Sequence, residues 1–370
     1  MTKEELTLSA FSQGIQDALA HLNITVLTDT QKEVIPAMMN GRDVIVKAAT
    51  ASGKTFSYLI PVLERMEPQG KGKHFPVCLI LVPTRELALQ TASAARSLLY
   101  KTEGIRTAVL CGGEDMNRQV RMFSKGADLV IATPARLLDH IRRHTFKPKM
   151  CSMLVIDEAD VMVSMGFFED VIQISQFLNE HQTALFSATY PEELQKQCAL
   201  LCTQPVMIEI KEETVHEQKI DVFYQMVQPN RKLDTAASLI HKADNPVLVF
   251  CRTRDGASFV SNELAKRNLK TAAVHSEMNP KVRRQIMQDF RNGKYDALCA
   301  TGVLGRGIDI PFLNLVILYD FPENAQETIH RIGRVSRNRN ASKVIFLLTP
   351  SEKRYIDTLK KILNQTVSRL

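Results

Sequence analysis

Short apolar segments alternate with helix-length amphipathic segments along the whole chain. The apolar segments are rich in Val, Ile and Leu, which is typical of strands buried on both faces of a parallel sheet. Seven such strands are predicted in the first half, at residues 44–47, 78–82, 107–110, 129–132, 153–156, 184–187 and 206–210. Six are predicted in the second half, at residues 222–227, 247–250, 271–274, 297–300, 315–319 and 343–348. This alternation, repeated twice, predicts an α/β fold of two units, each a mostly parallel sheet covered by helices on both faces.

A charged segment, KEETVHEQK at residues 211–219, separates the two series of strands. It holds one apolar residue and follows the strand that closes the first series, as an exposed linker would. We therefore expect a first domain at residues 1–210, a linker at 211–219 and a second domain at 220–370. Near the end of the chain, the capping-box sequence Thr349-Pro350-Ser351-Glu352 predicts the start of a final helix. We expect that helix to pack on the second domain through Ile356, Leu359, Ile362 and Leu363.

Length and composition fit a globular protein with two domains. The chain has 370 residues, of which 45% are apolar and 24% charged, and this excludes disordered and collagen-like classes. No apolar segment approaches the ~18 residues of a membrane span, and the N-terminal MTKEE lacks the apolar part of a signal peptide. The seven cysteines include no Cys-x-x-Cys pair. We therefore expect an intracellular protein, cytoplasmic or nuclear, with no membrane partner.

The net charge of +7 is unevenly distributed. Residues 1–210 carry 21 Lys and Arg against 23 Asp and Glu, a net charge of −2. Residues 211–370 carry 26 against 17, a net charge of +9. A strongly basic half indicates a polyanionic partner, such as a nucleic acid or the phosphates of a nucleotide.

The segment after the first predicted strand has the pattern of a phosphate-binding loop. It reads Ala48-Ala49-Thr50-Ala51-Ser52-Gly53-Lys54-Thr55. The P-loop pattern is Gly-x4-Gly-Lys-[Ser/Thr] between a strand and a helix, so Ala48 replaces the first glycine. Backbone N–H groups and the helix dipole bind phosphate in such a loop, with Lys54 at the β- and γ-phosphates and Thr55 holding Mg²⁺. The alternative is a helix N-terminus with an unrelated lysine.

Three carboxylates follow a buried strand of the same domain. Residues 154–156 are apolar, and Asp157, Glu158 and Asp160 come directly afterwards. Ligands bind at the carboxyl ends of strands in open α/β sheets. A carboxylate there can hold the Mg²⁺ that bridges two phosphates, while its neighbour orients or deprotonates the attacking water. A solvated acidic turn is the alternative, and the phosphate-binding loop in the same domain argues against it.

Further motifs follow in an order that matches one known family. In the first domain they are Pro83-Thr84-Arg85-Glu86-Leu87-Ala88, Gly112-Gly113, Thr133-Pro134-Ala135-Arg136 and Ser187-Ala188-Thr189. In the second domain they are Val249-Phe250-Cys251-Arg252-Thr253, Thr301 to Asp309 (TGVLGRGID) and His330-Arg331-Ile332-Gly333-Arg334-Val335-Ser336-Arg337. Together with Asp157-Glu158-Ala159-Asp160, they make the sequence resemble the DEAD-box family of RNA-dependent ATPases and helicases, in superfamily 2. The resemblance runs from about Phe11 to about Leu348. It implies two tandem RecA-like domains joined by a flexible linker, with ATP and Mg²⁺ in the cleft between them.

The resemblance also implies which residues bind ATP. Gln31 corresponds to the glutamine that reads the adenine edge. Asp157 holds Mg²⁺ through water, and Glu158 activates the attacking water. The remaining implied ATP-binding residues are Thr28, Ala48, Ala49, Thr50, Ala51, Ser52, Gly53, Lys54 and Thr55 in the first domain, with Gly307 and Asp309 in the second.

Arg334 and Arg337 resemble arginine fingers, which the second domain supplies to the ATP site. Such fingers are worth ~10³–10⁵ in rate because they stabilise charge on the transferring phosphoryl group. Surface charge on one helical face is the alternative, because these arginines lie in an Arg-rich stretch at a spacing of three residues. The resemblance further implies that five residues couple the ATP site to domain closure and RNA: Asp160, Ser187, Thr189, His330 and Arg331.

An RNA-binding surface is implied as well. Its candidate residues are Pro83, Thr84, Arg85, Gly113, Thr133, Arg136, Arg283 and Thr301. Contacts to the sugar–phosphate chain position a strand without reading its bases, so we expect no sequence readout, a steep salt dependence and a preference for RNA through its 2′-hydroxyl groups. The expected partners are single-stranded RNA or a short duplex, together with protein cofactors or a larger ribonucleoprotein complex. We expect the protein itself to be a monomer.

Several positions depart from the family pattern. Ala51 replaces the loop glycine and adds a methyl group where backbone should approach phosphate. Ile24 replaces an aromatic residue that would stack on adenine. Pro280 replaces the glutamine of Gln-x-x-Arg, and Gly302 replaces the aspartate after Thr301. None of these changes removes a residue to which the chemistry is assigned.

The leading hypothesis is an ATP-dependent RNA helicase or RNA-remodelling ATPase. In this mechanism, ATP and RNA close the two domains and a short duplex is opened locally, and hydrolysis reopens the cleft. The alternative that the departures motivate is an ATP-gated RNA clamp or scaffold with very weak turnover. A third interpretation, an unrelated P-loop ATPase with a protein or DNA substrate, would require the remaining motifs to be coincidental.

Overall fold

The computed structural model describes residues 6–48, 52–66, 76–123, 126–210, 221–275, 277–301, 313–322, 328, 332, 343–363 and 367–370. The chain divides into two compact units, Met1–Glu213 and Thr214–Leu370. The predicted linker at 211–219 lies outside the described residues. Among the helices in these ranges, none combines the length and the apolar character that crossing a membrane would require.

The first unit is built on a seven-stranded parallel sheet. Its strands are β1 (Val44–Lys47), β2 (Cys78–Leu81), β3 (Thr107–Leu110), β4 (Leu129–Ala132), β5 (Met153–Ile156), β6 (Gln182–Ser187) and β7 (Val206–Glu209). Its described α-helices are α1 (Gln13–His21), α2 (Asp29–Met39), α3 (Lys54–Glu64), α4 (Arg85–Leu98), α5 (Met116–Phe123), α6 (Pro134–Arg142), α7 (Ala159–Ser164), α8 (Phe168–Gln176) and α9 (Glu192–Cys198). The order of the strands across the sheet is β3-β4-β2-β5-β6-β1-β7.

Both faces of this sheet are covered by helices. In β2, Cys78 and Ile80 belong to one apolar core, while Leu79 and Leu81 belong to the other. Helices α1 to α4 contribute to the first core, and α6 to α9 contribute to the second. Because successive side chains of a strand point to opposite faces, a strand between two cores must be apolar at every position, and this explains the continuous apolar segments of the sequence.

The second unit repeats this arrangement. Its strands are β8 (Asp221–Met226), β9 (Val247–Cys251), β10 (Thr271–Val274), β11 (Ala297–Thr301), β12 (Leu315–Leu318), β13 (Lys343–Leu348) and β14 (Ser368–Arg369). Its described α-helices are α10 (Lys232–His241), α11 (Arg254–Ala265), α12 (Pro280–Arg291) and α13 (Tyr355–Leu363). The parallel sheet has the order β10-β11-β9-β12-β13-β8-β14. When the strands are counted from the first in each unit, both sheets have the same order, 3-4-2-5-6-1-7. The predicted fold class is therefore confirmed.

The end of the chain differs from the prediction. The capping box of Thr349 and Glu352 is formed, but it opens a 3-10 helix, Pro350–Glu352, and α13 begins only at Tyr355. The Glu352 carboxylate lies 3.7 Å from the buried Lys232 ammonium of α10, so this turn is tied to the body of the unit before the α-helix starts. Leu359 is buried in the core of the second unit. The two-residue strand β14, which the sequence did not predict, follows α13 and pairs with β8.

Candidate functional site

The predicted residues of the first unit follow strands at one edge of its sheet. The phosphate-binding loop follows β1, the segment Asp157-Glu158-Ala159-Asp160 follows β5, and Ser187 ends β6; these three strands are neighbours in the sheet. Thr84, Gly113 and Thr133 follow β2, β3 and β4, which form the other half of the sheet. Because all these strands are parallel, their carboxyl ends meet at the same edge. The residues assigned to nucleotide and to RNA therefore form two adjacent groups.

Thr28 and Gln31, at the start of α2, contact the phosphate-binding loop next to Gly53. Thr28 and Gln31 form a capping box at the start of α2, in which the Thr28 backbone N–H donates to Gln31 Oε1 at 2.9 Å. The Thr28 hydroxyl donates to the Ser52 carbonyl at 3.0 Å, and Gln31 Nε2 donates to the Gly53 carbonyl at 3.4 Å. The amide keeps a second N–H and a second lone pair for another partner. Helix α2 is thus tied directly to the phosphate-binding loop.

Gly53 is required by the geometry of this loop. Its φ of +89° lies in the left-handed region, which side chains other than glycine adopt at a cost. A Cβ atom at this position would lie 2.6 Å from the Thr28 hydroxyl oxygen and 3.0 Å from Gln31 Nε2. Gly53 therefore permits both the turn into α3 and the close approach of α2.

Lys54 is the first residue of α3, and its side chain is almost completely buried. Its ammonium donates to the Ala48 carbonyl at 2.8 Å, across the phosphate-binding loop. The rest of the loop, Ala49, Thr50 and Ala51, lies outside the described residues. The N-terminus of a helix preceded by a left-handed glycine and carrying a lysine is suited to bind a polyphosphate.

Asp157 is buried at the end of β5, and both of its carboxylate oxygens accept hydrogen bonds. Tyr58 Oη donates to Oδ2 at 2.8 Å, and the Glu158 backbone N–H donates to Oδ1 at 2.9 Å. Burial raises the pKa of Asp157, while the Lys54 charge and these hydrogen bonds oppose the rise. The carboxylate of Asp157 and the hydroxyl of Thr55 are hard oxygen donors of the kind that Mg²⁺ prefers, and Mg²⁺ usually takes one or two protein ligands beside phosphates and water. The residues present therefore fit a magnesium nucleotide.

Glu158 has a left-handed backbone, with φ +52° and ψ +50°, directly before α7. A non-glycine residue in this region costs about 1–3 kcal/mol and persists where the surroundings hold it, often at functional sites. The residue is largely buried. This strained turn sends the chain from β5 into α7, and Glu158 is the residue assigned to water activation.

Asp160, Ser187 and Thr189 form one hydrogen-bonded cluster. Asp160 Oδ2 accepts from the Thr189 backbone N–H at 2.9 Å and from the Thr189 hydroxyl at 2.7 Å. The Asp160 backbone N–H donates to Ser187 Oγ at 3.2 Å, and the Ser187 hydroxyl donates to the Thr189 carbonyl at 2.5 Å. The structure therefore brings together three of the five residues assigned to coupling. His330 and Arg331 lie outside the described residues.

A shallow groove of about 400 Å³ lies beside the nucleotide group. It is lined by Pro83, Arg85, Gly112, Thr133, Pro134, Ala135, Arg136, Asp139 and Phe167. Four residues assigned to RNA thus line one surface. Gly113 follows β3 with a φ of +75°. Thr84 is buried, and its hydroxyl oxygen accepts from the Leu87 backbone N–H at 3.3 Å as the N-cap of α4.

The two arginines of the groove are held by residues that the sequence motifs did not identify. Arg85 forms an ion pair with Glu114, with 2.6 Å between Nη2 and Oε1. Arg136 Nη1 donates to the Glu114 carbonyl and to Gln119 Oε1, at 3.0 Å in both cases. Gln119 Nε2 donates to the Cys111 carbonyl at 3.0 Å. These contacts place both guanidinium groups at the groove. The contacts themselves could not be predicted from the spacing of residues in the sequence.

Few residues of the second unit assigned to function lie in the described part of the chain. Thr301 is buried at the end of β11, and Arg283 is half-buried on α12. Pro280 begins α12, a position at which proline is favoured because its missing N–H is not needed. The remaining assigned residues of this unit that lie outside the described ranges are Gly307, Asp309, Arg334 and Arg337.

Comparison with known proteins identifies relatives over the whole chain. A DEAD/DEAH box helicase family model matches residues 28–197, and a helicase conserved C-terminal domain model matches residues 231–339. The ATP-dependent RNA helicase DeaD of Haemophilus influenzae is 34% identical over 372 residues, which cover 100% of this chain and 60% of that protein. The chain thus spans about 60% of the length of this curated relative.

Solved structures agree with this family. A DEAD box protein from the hyperthermophile Methanococcus jannaschii is 31% identical with a TM-score of 0.56, and the match covers 100% of this chain and 99% of that one. The structure of S. cerevisiae Dbp5 bound to RNA and ADP BeF3 matches with a TM-score of 0.88 at 23% identity, and the match covers 100% of this chain and 95% of that one. At this identity the likeness supports the fold alone. The fold, the motif order and these relatives lead to one conclusion: the chain belongs to the DEAD-box family of superfamily 2 helicases.

Proposed function

We propose that this protein is an ATP-dependent RNA helicase or RNA-remodelling ATPase. It binds the RNA backbone without reading sequence and couples ATP hydrolysis to the opening and closing of two RecA-like domains, at residues 1–210 and 220–370, joined by the linker at 211–219. One observation carries the proposal: strands β5, β6 and β1 bring the phosphate-binding loop, the DEAD carboxylates and Ser187 to one sheet edge, beside an arginine-lined groove. Relatives named ATP-dependent RNA helicases support it.

In the proposed reaction, the loop before α3 binds the phosphates of ATP. Lys54 exchanges its hydrogen bond with the Ala48 carbonyl for the β- and γ-phosphates. Thr28 and Gln31 stand next to the loop, and Gln31 offers its remaining amide N–H and lone pair to the adenine edge. The side chain at Ile24 is partly buried against the core of the first unit, so this position contributes to packing as well.

Thr55 and Asp157 would hold Mg²⁺, which neutralises charge on the β- and γ-phosphates when it is bound. Glu158 orients the attacking water and accepts its proton. Arg334 and Arg337 of the second domain complete the site and stabilise charge on the transferring phosphoryl group. Hydrogen bonds connect the ends of β5 and β6 through Asp160, Ser187 and Thr189. Through this connection, the presence or absence of ATP is coupled to domain closure and RNA binding.

Arg85 and Arg136 bind phosphates of the RNA backbone in the groove. Because phosphate contacts carry no base information, affinity should be similar for unrelated sequences and should fall steeply with salt. Single-stranded RNA and short duplexes are the proposed substrates. Protein cofactors or a larger ribonucleoprotein complex are proposed as further partners of a monomeric protein.

The test is phosphate release from ATP with and without single-stranded RNA, at several salt concentrations. RNA should stimulate phosphate release. Glu158→Gln should lower the rate of release at least about 100-fold, while nucleotide and RNA binding persist. Absence of stimulation by any RNA would contradict the proposal. A Glu158→Gln protein that keeps full biological activity would favour an ATP-gated clamp instead.

A further inference from the structure

We propose that Tyr58 is a positioning residue for the magnesium nucleotide: its phenol hydroxyl, 2.8 Å from Asp157 Oδ2, fixes the orientation of that carboxylate. This inference rests on the proposed function, because Asp157 is assigned to magnesium there. Neither composition nor motif spacing identifies Tyr58, which lies 99 residues from Asp157 in the sequence.

The side chain of Tyr58 is enclosed by its neighbours. The residue lies on α3 one turn after Lys54 and is completely buried. Its ring packs against Phe186 of β6, with 5.0 Å between ring centroids and 58° between ring planes. Because both the ring and the backbone helix are packed, the hydroxyl can reach its partner without the ordering cost that a mobile side chain would incur.

The Asp157 carboxylate is held from two directions. The Glu158 backbone N–H donates a hydrogen bond to Oδ1, and the Tyr58 hydroxyl donates one to Oδ2. One donor on each oxygen fixes rotation of the carboxylate plane and leaves lone pairs for a further partner. Without the phenol hydroxyl, Oδ2 would lose this donor in a site that admits little water, since Asp157 is 6% exposed.

The same contact joins two elements of the site. Helix α3 carries Lys54, Thr55 and Tyr58. Asp157 directly follows β5, which is separated from β1 by β6 in the sheet. A hydrogen bond from α3 to Asp157 therefore sets the position of the phosphate-binding helix relative to the carboxylate. A buried tyrosine hydroxyl needs a hydrogen-bond partner in any case. If the hydrogen bond to Asp157 were purely structural, however, its loss would have no effect that depends on magnesium.

Tyr58→Phe tests the inference, because it removes one oxygen and keeps the ring. The measurement is the affinity for a non-hydrolysable ATP analogue, with Mg²⁺ and with EDTA, together with the melting temperature of the nucleotide-free protein. With Mg²⁺, affinity should fall about tenfold, and the Mg²⁺ concentration for half-maximal binding should rise. With EDTA, affinity should change less than about twofold. In an Asp157→Asn background, Tyr58→Phe should have no further effect on magnesium-dependent affinity.

Tyr100→Phe is the matched control, because Tyr100 is 51% exposed in the same unit; it should bind like the wild type under both conditions. Unchanged magnesium-dependent affinity in Tyr58→Phe would overturn the inference. An equal loss with and without Mg²⁺, or a loss that persists beside Asp157→Asn, would also overturn it, since either marks a structural role. In these three cases the wild type still binds nucleotide and the proposed function stands. A wild-type protein that binds no nucleotide would overturn both.

Discussion

Arg136 donates to the side-chain oxygen of Gln119 at 3.0 Å, and the Gln119 amide is completely buried beneath the groove. The imidazole Nε2 of His140 lies 2.9 Å from the same oxygen. Because Gln119 Nε2 is committed to the Cys111 carbonyl, the amide orientation is fixed and its oxygen serves as an acceptor for both groups. The buried Gln119 amide therefore orients the Arg136 guanidinium group, which lines the groove.

Gln119→Leu should weaken RNA binding, because Arg136 loses one of the two acceptors that orient it. We expect a loss of about three- to tenfold in RNA affinity, from a hydrogen bond to a charged group, with nucleotide affinity unchanged. In an Arg136→Ala background the same substitution should have little further effect on RNA affinity. Equilibrium RNA binding at fixed salt measures all four proteins of the cycle.

Gln173→Leu provides the control for this cycle. Gln173 Oε1 accepts from Arg142 Nη2 at 3.2 Å in an exposed pair that is not among the residues lining the groove. RNA affinity should be as in the wild type. Additive losses from Gln119→Leu and Arg136→Ala would show that Gln119 does not act through Arg136.

Gly53→Ala should disrupt the nucleotide site. The left-handed φ of +89° and the 2.6 Å approach to the Thr28 oxygen mean that a methyl group must displace the α2 capping box or the loop. We expect nucleotide affinity to fall at least about tenfold, since the backbone penalty alone is roughly 1–2 kcal/mol. Nucleotide titration together with the melting temperature checks this.

Gly112→Ala is the matched control for this substitution, because no heavy atom beyond the adjacent residues lies within 4 Å of a Cβ built there. Nucleotide affinity and melting temperature should be those of the wild type. If Gly53→Ala bound nucleotide as tightly as Gly112→Ala, the left-handed turn at Gly53 would not be required for nucleotide binding.

His140 should make the stability of the folded protein depend on pH. Burial, followed by the charge of Arg136 and then that of Arg143, lowers the pKa of His140, while Asp139 opposes the shift. The ring also contacts the uncharged Gln119 and Thr145. With the folded-state pKa below the unfolded value of about 6.5, the unfolded chain binds more protons as pH falls. The contribution of the neutral His140 to the free energy of unfolding is therefore fully present above about pH 6.5 and is lost progressively as the pH falls below that value.

His140→Gln should consequently show a smaller fall in melting temperature between pH 8 and pH 5 than the wild type. His241→Gln is the control for the substitution itself, because that ring is exposed at the end of α10. Parallel curves for the wild type and His140→Gln would contradict a buried, neutral His140.

Thr189→Val should destabilise the cluster at the ends of β5 and β6. It removes the hydroxyl that donates to Asp160 Oδ2 at 2.7 Å and leaves a buried carboxylate oxygen with one donor fewer. The expected cost is about 1–3 kcal/mol, visible as a lower melting temperature. Thr107→Val is the matched control, since Thr107 Oγ1 is buried without a hydrogen-bond partner among the described residues. Equal melting temperatures for the two variants would contradict the role of Thr189.

The hydrophobic pattern of the chain was enough to predict the fold class and thirteen of the fourteen strands among the described residues. All thirteen predicted strands are present, with ends displaced by at most two residues. Most of them are largely buried, and a strand buried on both faces must be apolar at each position. The strand β14 was missed because it consists of only two residues, both exposed, and so has no hydrophobic pattern; it pairs with β8. The motifs identified the family, but the roles of the individual site residues stay predictions.

How these motifs are arranged and supported follows from the assembled sheet and cannot be read from the motifs themselves. The strand order 3-4-2-5-6-1-7 separates the nucleotide group from the groove, and no local pattern encodes it, because each parallel crossover can pass its strand to several positions in a sheet. The contacts of Tyr58 with Asp157 and of Gln119 with Arg136 join residues 99 and 17 positions apart. A side chain that supports another through a single buried hydrogen bond is chosen by the space and the partner that folding supplies, so such residues become visible only when the sheet is assembled.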